Sequence, residues 1–575
     1  MGVYTEVMYL PDTREKLAQR AMRVIGDCRS SQDARAAVCR QLRQWIMTGS
    51  NDGQYAIYNK LIQHINRKSS YLYSAAELRF RIDFESLYAA PVLAQGSQAA
   101  RVLTREWERK KLHLEYGVGV TNALSYGSTI AKSLFVSQGL ALNLVMPWSF
   151  GVYNESVNGL GRQEAMCEST KITSEELWRR ISHLPDAKDL YKRAVAYAKS
   201  NTQGDFNDAS TANILFTGSA PGVQTMGPYT TQPGGFVDIG ADYSGAYMSP
   251  TVSASLIDFH ELWVWDDARN DYTTVQMCEP DVLISPRFKR TNLFSEGSQC
   301  HPYSLIQPNP QHGFFWGRSE ISNLLKLQAF LRDRLIDIKK LSSVQFDRIL
   351  AFSGFGMNDE RYDSLRRQGW IANEDGQAKV EDLTPEMPQN VFREVDDILR
   401  FFDESSGFQP ILTGQGEQGV RSGNQAQQLV RTASPHLREG ALLVECQLAD
   451  CADTSFQLLQ SKDDRVYWSE APEDGKGEVS EASEFYLHQL PGDYRISVDS
   501  HSSSPIYQTD NFNAAVLLAK AGAVDGEALI ESSPLSQKDI HIQRYKDRQK
   551  KMQEFIEKNP YVLLQKKDGQ QRATG

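Results

Sequence analysis

The residues with the clearest chemical potential are Gly414, Gly416 and Gly419, spaced G-x-G-x-x-G within a loop that continues through Arg421 to Gly423. Such glycines let a backbone wrap a phosphate when a buried strand leads in and a helix N-terminus leads out. The surroundings argue against that use. Pro410 interrupts the only apolar run before the loop, and Val420 stands where a nucleotide-binding loop needs lysine, with Arg421 one place late. Two acidic pairs, Asp266-Asp267 and Asp396-Asp397, have the ligand chemistry of metal-dependent nucleases. The first falls in a turn, and adjacent residues on a helix point apart, so both read as solvated. His260-Glu261 lacks the second histidine of H-E-x-x-H, and Gly218-Ser219-Ala220-Pro221-Gly222 holds its serine in the wrong slot for a nucleophile elbow. His301 and His312 flank a proline-rich loop and read as ordinary histidines. The 7 cysteines are scattered without a C-x-x-C pair, so reduced thiols and no structural zinc are expected. Catalytic residues, metal ligands and a cofactor are all absent from this reading.

The elements that frame the glycine loop are more distinctive. A long helix is expected from Ser319 to Phe346, because Ile321, Leu324, Leu327, Leu331, Leu335, Ile338 and Leu341 recur every three or four residues. Lys326, Arg332, Arg334, Lys339 and Lys340 occupy its other faces. An insert follows, bounded by Gly354, Gly356 and the turn chemistry of Thr384–Pro388. Trp370, Ile371 and Val380 suggest a small hairpin inside it. A second helix runs from Gln389 to Phe402, with Pro388 suited to its first turn. After the glycine loop, a third helix is expected from Asn424 to Gln460. Pro435 lies within it and lacks an N–H, which predicts a kink.

Elsewhere, residues 12–67 read as helices, with Asp12-Thr13 and Ser31-Gln32-Asp33 as cap signals. Helices are expected over Ser97–Glu115 and Ala123–Ser137, strands over Leu140–Tyr153 broken at Pro147, and a capped helix from Thr173. Ser200–Ala254 is rich in Gly, Ser, Thr, Pro and Ala and reads as a long loop. Ile257–Trp265 and Tyr272–Met277 form a β-hairpin. Strands at Val466–Trp468, Phe485–Leu487 and Tyr494–Val498 precede helices at Asn511–Ala521, Gly526–Glu531 and Ser536–Lys558.

The chain has 575 residues, 41% hydrophobic and 23% charged, with a net charge of -10. That length allows several cores. The acidic balance argues against a protein that coats DNA, which needs cations to displace counterions, and suits a surface that DNA must slide past. The N-terminus lacks the apolar run of a signal peptide, and no window is long and apolar enough to span a membrane. Charge is unevenly placed. Arg318–Arg348 holds seven basic and four acidic residues, Ala351–Ser405 six and thirteen, and Lys538–Gly575 ten and five.

The order of these elements resembles the portal proteins of tailed double-stranded DNA bacteriophages. The likeness rests on Phe315-Trp316-Gly317-Arg318-Ser319-Glu320-Ile321 leading into Leu325-Lys326-Leu327-Gln328, then Leu383-Thr384-Pro385-Glu386-Met387-Pro388. Ser406-Gly407-Phe408, Gly416–Gly423 and Arg431-Thr432-Ala433-Ser434-Pro435 follow. The resemblance implies an α+β, mainly helical fold. It would have a wing (1–315), stem helix one (316–350), clip (351–387), stem helix two (388–405) and tunnel loop (406–423). A kinked long helix with wing strands (424–500) and a crown with C-terminal tail (501–575) would complete it. It further implies a homo-oligomeric ring, usually a dodecamer, at one capsid vertex of the virion, assembled in the host cytoplasm. Double-stranded DNA would pass through during packaging and ejection. Partners would be the terminase large subunit, the major capsid and scaffolding proteins, and head–tail adaptor proteins, with no membrane. Gly414, Gln415, Gly416, Glu417, Gln418, Gly419 and Arg421 would form the tunnel loop facing DNA. Lys326, Arg332, Lys339, Lys340, Asp396 and Asp397 would line the stem, and Pro435 would kink the wing helix. The rival readings are a structural head–tail adaptor and a nucleotide-binding enzyme using Gly414–Gly419.

Overall fold

Apolar residues at helical spacing build the first elements. The computed structural model describes residues 14–52, 55–74, 78–86, 88, 90–136, 139–204, 256–266, 271–280, 282–284, 289–290, 301–346, 350–353, 360, 363, 379–383, 390–405, 435–469, 483–498, 512, 515–520, 526–531, 533 and 538–558. Helices α1 (Arg14–Arg29), α2 (Gln32–Thr48) and α3 (Lys60–Leu72) open it. Ala18, Ala21, Ile25 and Cys28 share one buried face of α1. Ser31 occupies the N-cap of α2 but does not cap it; its hydroxyl donates to Glu155 instead. Asn59 caps α3 by accepting from the Leu61 N–H at 3.1 Å.

Strand β1 (Phe80–Phe84) precedes α4 (Ala90–Arg109) and α5 (Leu112–Tyr126). The single helix expected over 97–115 is therefore two. Lys111 adopts φ 58° between them, and the break lets Trp107 and Tyr116 pack with ring centroids 6.5 Å apart. The helix expected over Ala123–Ser137 also fails. It ends at Gly127 (φ 96°), and Thr129–Val136 is strand β2. Strands on both sides override the local helical pattern there.

Next come β3 (Gly139–Val145), β4 (Phe150–Val152), β5 (Ala165–Ile172), α6 (Ser174–Ile181) and α7 (Ala187–Gly204). Pro147 separates β3 from β4 as expected, and Thr173 caps α6 by accepting from the Glu176 N–H at 3.3 Å. The expected hairpin is β6 (Ile257–Asp266) and β7 (Asp271–Cys278), followed by β8 (Val282–Leu283), β9 (Lys289–Arg290) and β10 (Tyr303–Ile306). A 3₁₀ turn at Glu320–Asn323 leads into α8 (Leu325–Phe346), so the long helix starts later than its apolar stripe. Then follow β11 (Leu350–Ser353), β12 (Lys379–Asp382), α9 (Val391–Ser405) and α10 (Pro435–Lys462). Strands β13 (Val466–Ser469), β14 (Ser483–Tyr486) and β15 (Tyr494–Val498) precede α11 (Gly526–Glu531) and α12 (Lys538–Lys558).

The insert and the third helix are described only in part. Val380 pairs with Phe352, so the ends of the insert form the ribbon, and Trp370 and Ile371 lie outside the described residues. Pro435 is the first described residue of α10. Residues 424–434, which would form the other limb of the expected kink, lie outside the described residues, as does the stretch 205–255.

The fold is α+β and mainly helical, and its sheets are antiparallel. One sheet orders β10-β2-β3; another orders β4-β5-β6-β7-β8, with β9 on β7. The largest core gathers Leu61, Trp107, Tyr116, Val444, Phe456 and Phe485 from α3, α4, α5, α10 and β14. Its register is closed by β1 pairing with β15, Phe80 opposite Val498. Helix α1 covers β5, β6 and β7, and α6 with α7 cover Ile257 and Phe259. A fourth cluster, with Phe150, Trp263, Tyr303, Phe315 and Trp316, lies between the two larger sheets. Among the described residues no helix is long and apolar enough to cross a membrane.

Candidate functional site

The Phe315–Ser319 string determines where α8 leaves the body. Glu155 Oε1 accepts from Trp316 Nε1 at 2.8 Å, Arg35 Nη1 at 2.6 Å and the Ser31 hydroxyl. The Arg35 guanidinium also stacks 4.0 Å from the Trp316 ring centroid. Burial works against the Glu155 carboxylate, yet the Ser31 and Trp316 hydrogen bonds and the Arg35 charge hold its pKa below the usual range. Gly317 donates its N–H to Ser128 Oγ at 2.8 Å and faces Gly127. A Cβ on either glycine would strike the carbonyl oxygen of the other, so this close crossing requires both.

One turn further on, Glu320 forms a buried polar base. His64 Nε2 lies 3.1 Å and Lys68 Nζ 2.6 Å from its carboxylate, and Asn309 Nδ2 donates at 2.7 Å. Burial would raise this carboxyl, but the His64 hydrogen bond and the Lys68 charge outweigh it and bring the pKa down to about 2. Lys60 then joins both helices of the following hairpin. Its N–H donates to Gln328 Oε1 on α8 at 3.1 Å, and its Nζ reaches Leu399 O at 3.1 Å and Asp403 Oδ1 at 2.8 Å on α9. Phe402 is fully buried beneath it, edge-on to His64 at 6.3 Å.

The start of α8 and the end of α9 thus meet at Lys60, and Arg334 reaches back to Glu394 at 3.2 Å near the start of α9. The helices are therefore antiparallel, and the β11–β12 ribbon joins their far ends. At about 1.5 Å per residue, the 22 residues of α8 extend roughly 33 Å. Ile321, Leu324, Gln328 and Leu331 are buried near the base, whereas Leu335, Ile338 and Leu341 are only half-buried further out. Charge divides between the two helices: α8 carries five basic and two acidic residues, α9 two and five.

The candidate stem residues lie on this hairpin. Lys326, Lys339, Lys340 and Asp396 are exposed. Arg332 pairs with Asp52 at the base, and Asp397 lies 3.7 Å from Arg400. Gly414, Gln415, Gly416, Glu417, Gln418, Gly419 and Arg421 lie outside the described residues. Sequence reasoning missed Lys60, His64, Lys68 and Glu320. The available signal was His64 and Lys68 spaced i,i+4 on α3, with His64 between the apolar Leu61 and Ile65.

Other titratable clusters are built into the body. Lys132 Nζ bridges Glu168 at 2.6 Å and Glu261 at 3.2 Å, while Tyr303 donates to Glu168 at 2.7 Å and Trp263 to Glu261 at 2.9 Å. This network joins β2 to β5 and β6. His260 contacts Ser169 Oγ at 2.9 Å and Glu279 Oε1 at 3.3 Å, with Arg29 3.1 Å from the same carboxylate. Of the two histidines expected to flank a loop, His312 is exposed and His301 is not. His301 is fully buried between Tyr272 and Tyr303, and burial lowers its pKa to about 4. Cys28, Cys39, Cys167, Cys278 and Cys451 are buried free thiols and Cys446 is an exposed one, whereas Cys300 lies outside the described residues. Among the described residues no cluster of three or more His, Cys, Asp or Glu could hold a metal ion. No protein-family model matches the chain, and no curated protein matches it.

Proposed function

We propose that the chain is a portal subunit: it assembles head-to-tail into a ring at one capsid vertex, and double-stranded DNA passes through the centre during packaging and ejection. The observation that carries this reading is the α8–α9 hairpin. It is anchored at its base by Lys60, Glu320 and Phe402, yet Phe330 is 43%, Phe392 56%, Phe401 47% and Leu383 58% exposed along it. Apolar surface of this extent on a protruding element favours burial against another chain. The basic α8 and acidic α9 supply two unlike patches, which a heterologous ring contact requires. The hairpin with its terminal ribbon also follows the stem–clip–stem order of the portal resemblance. In that reading the clip docks the terminase large subunit and later head–tail adaptor proteins. Capsid and scaffolding proteins surround the wing, and the virion vertex is the site of action. The Gly414–Arg421 loop enters as the DNA-facing tunnel loop on sequence alone.

Negative-stain electron microscopy of the purified chain, with mass measurement of the particles, tests the proposal. A closed ring with an axial hole is expected, twelve-fold in the virion form. A monomer at all concentrations, or an open filament, would reject it. Asp396→Lys with Asp397→Lys should impair DNA packaging by rings that still assemble, because the channel mouth would then attract the phosphate backbone.

A further inference from the structure

Helices α6 and α7 carry a surface feature that the conduit reading does not use. Trp178 is 39% exposed, and Tyr191 stands edge-on to it, with centroids 5.5 Å apart and planes at 80°. Lys188 and Lys192, one turn apart on α7, complete the rim of a hollow of about 380 Å³. The opposite faces of both helices are fixed: Leu177, Ile181, Leu190 and Ala194 are buried against Ile257 and Phe259. The aromatic corner is therefore preformed, and a ligand would not have to order it. Like charges at i,i+4 repel mildly on a bare helix, and an anion between them relieves that repulsion.

We propose that this hollow docks an acidic segment of a separate protein. An aromatic or aliphatic side chain would seat on Trp178, and carboxylates would lie against Lys188 and Lys192. The aromatic floor and cationic rim are complementary to that chemistry, and exposed Trp and Tyr are the side chains that most often dominate protein interfaces. Nucleic acid fits less well. A phosphate backbone is held by a longer cationic track than two lysines one turn apart. The chain's own residues 205–255 contain Asp205, Asp208, Asp238 and Asp242 and no Lys or Arg, so they are the rival source of the same chemistry. They leave α7 at its far end, roughly 24 Å from Lys188 at about 1.5 Å per residue.

The test is fluorescence anisotropy of a labelled short peptide of Glu and Leu with one central Phe, titrated with the full chain. Binding is expected to weaken as salt rises. It should fall about tenfold or more in Trp178→Ala and in Lys188→Gln/Lys192→Gln. Circular dichroism should show both variants folded, and Trp178→Phe should retain most of the affinity. Absence of binding, equal binding by both variants, equal binding of a peptide with Gln for Glu, or tighter binding of a single-stranded oligonucleotide would overturn the proposal. Binding that appears only when residues 205–255 are deleted would also overturn it, by assigning the hollow to the chain's own segment. Ring formation should be unchanged in both variants, so this result and the conduit result are independent.

Discussion

Two buried ion networks make the sharpest demands on single residues. The Glu320 carboxyl titrates at 4.5 in a free reference state and at about 2 when folded, so the native state stays ionised where the unfolded chain takes up protons. Its stabilisation is complete above about pH 4.5 and is lost as pH falls toward about 2. Glu320→Gln should lower the unfolding free energy at neutral pH by about 2–3 kcal/mol and flatten the acid limb of a stability–pH profile. An unchanged acid limb would mean that His64 and Lys68 do not hold the carboxylate in solution. Lys132 presents the opposite case. Burial alone would lower its pKa, but Glu261 and Glu168 raise it above the ordinary lysine value. Lys132→Met leaves two buried carboxylates facing each other without their cation and should destabilise the fold by about 3–5 kcal/mol in denaturant titration. Adding Glu168→Gln and Glu261→Gln should restore most of that loss.

At the scale of elements, the α8–α9 hairpin is unevenly supported. Its base is packed, and its outer part is held by half-buried leucines and exposed ion pairs. Phe402→Ala should cost about 3–5 kcal/mol and open the hairpin to limited proteolysis, because a fully buried ring is lost under Lys60 and His64. Arg334→Ala should change stability by less than about 1 kcal/mol, since Arg334 and Glu394 are 38% and 48% exposed. Equal protease sensitivity in the two variants would show that the base does not anchor the hairpin. The apolar stripe of α8 was legible in sequence because its period is local. The β11–β12 ribbon was not legible, because Val380 pairs with Phe352 across most of the insert and no local pattern specifies a partner that far away.

For the whole molecule, the exposed phenylalanines and the unequal charge of the two helices turn a stability question into one of association. Phe392→Ser with Phe401→Ser removes apolar surface that the isolated chain does not bury. The double variant should keep the melting temperature of the monomer to within a few degrees and lose higher-order assembly in analytical ultracentrifugation. An assembly as stable as the original would place the subunit contacts elsewhere. Distant segments also hold the body together: β1 pairs with β15, and the Tyr116 hydroxyl donates to the Val444 carbonyl at 3.1 Å. Helices α2 to α5 and α10 therefore share one core.

The sequence alone determined what depends on neighbours within a turn or a hairpin. It specified the stripe of α8, the Thr173 cap, the β6–β7 hairpin, the break at Pro147, and the separation of basic from acidic helix. Tertiary structure decided whatever depends on partners far along the chain. It made Thr129–Val136 a strand between β3 and β10, split the helix at Lys111, and turned Ser31 from cap to ligand of Glu155. It also buried Glu320, His64 and Lys68 together at the foot of the hairpin. Periodicity and capping are short-range properties of the backbone, whereas the state of a buried charge depends on which groups the fold brings within a few ångströms of it.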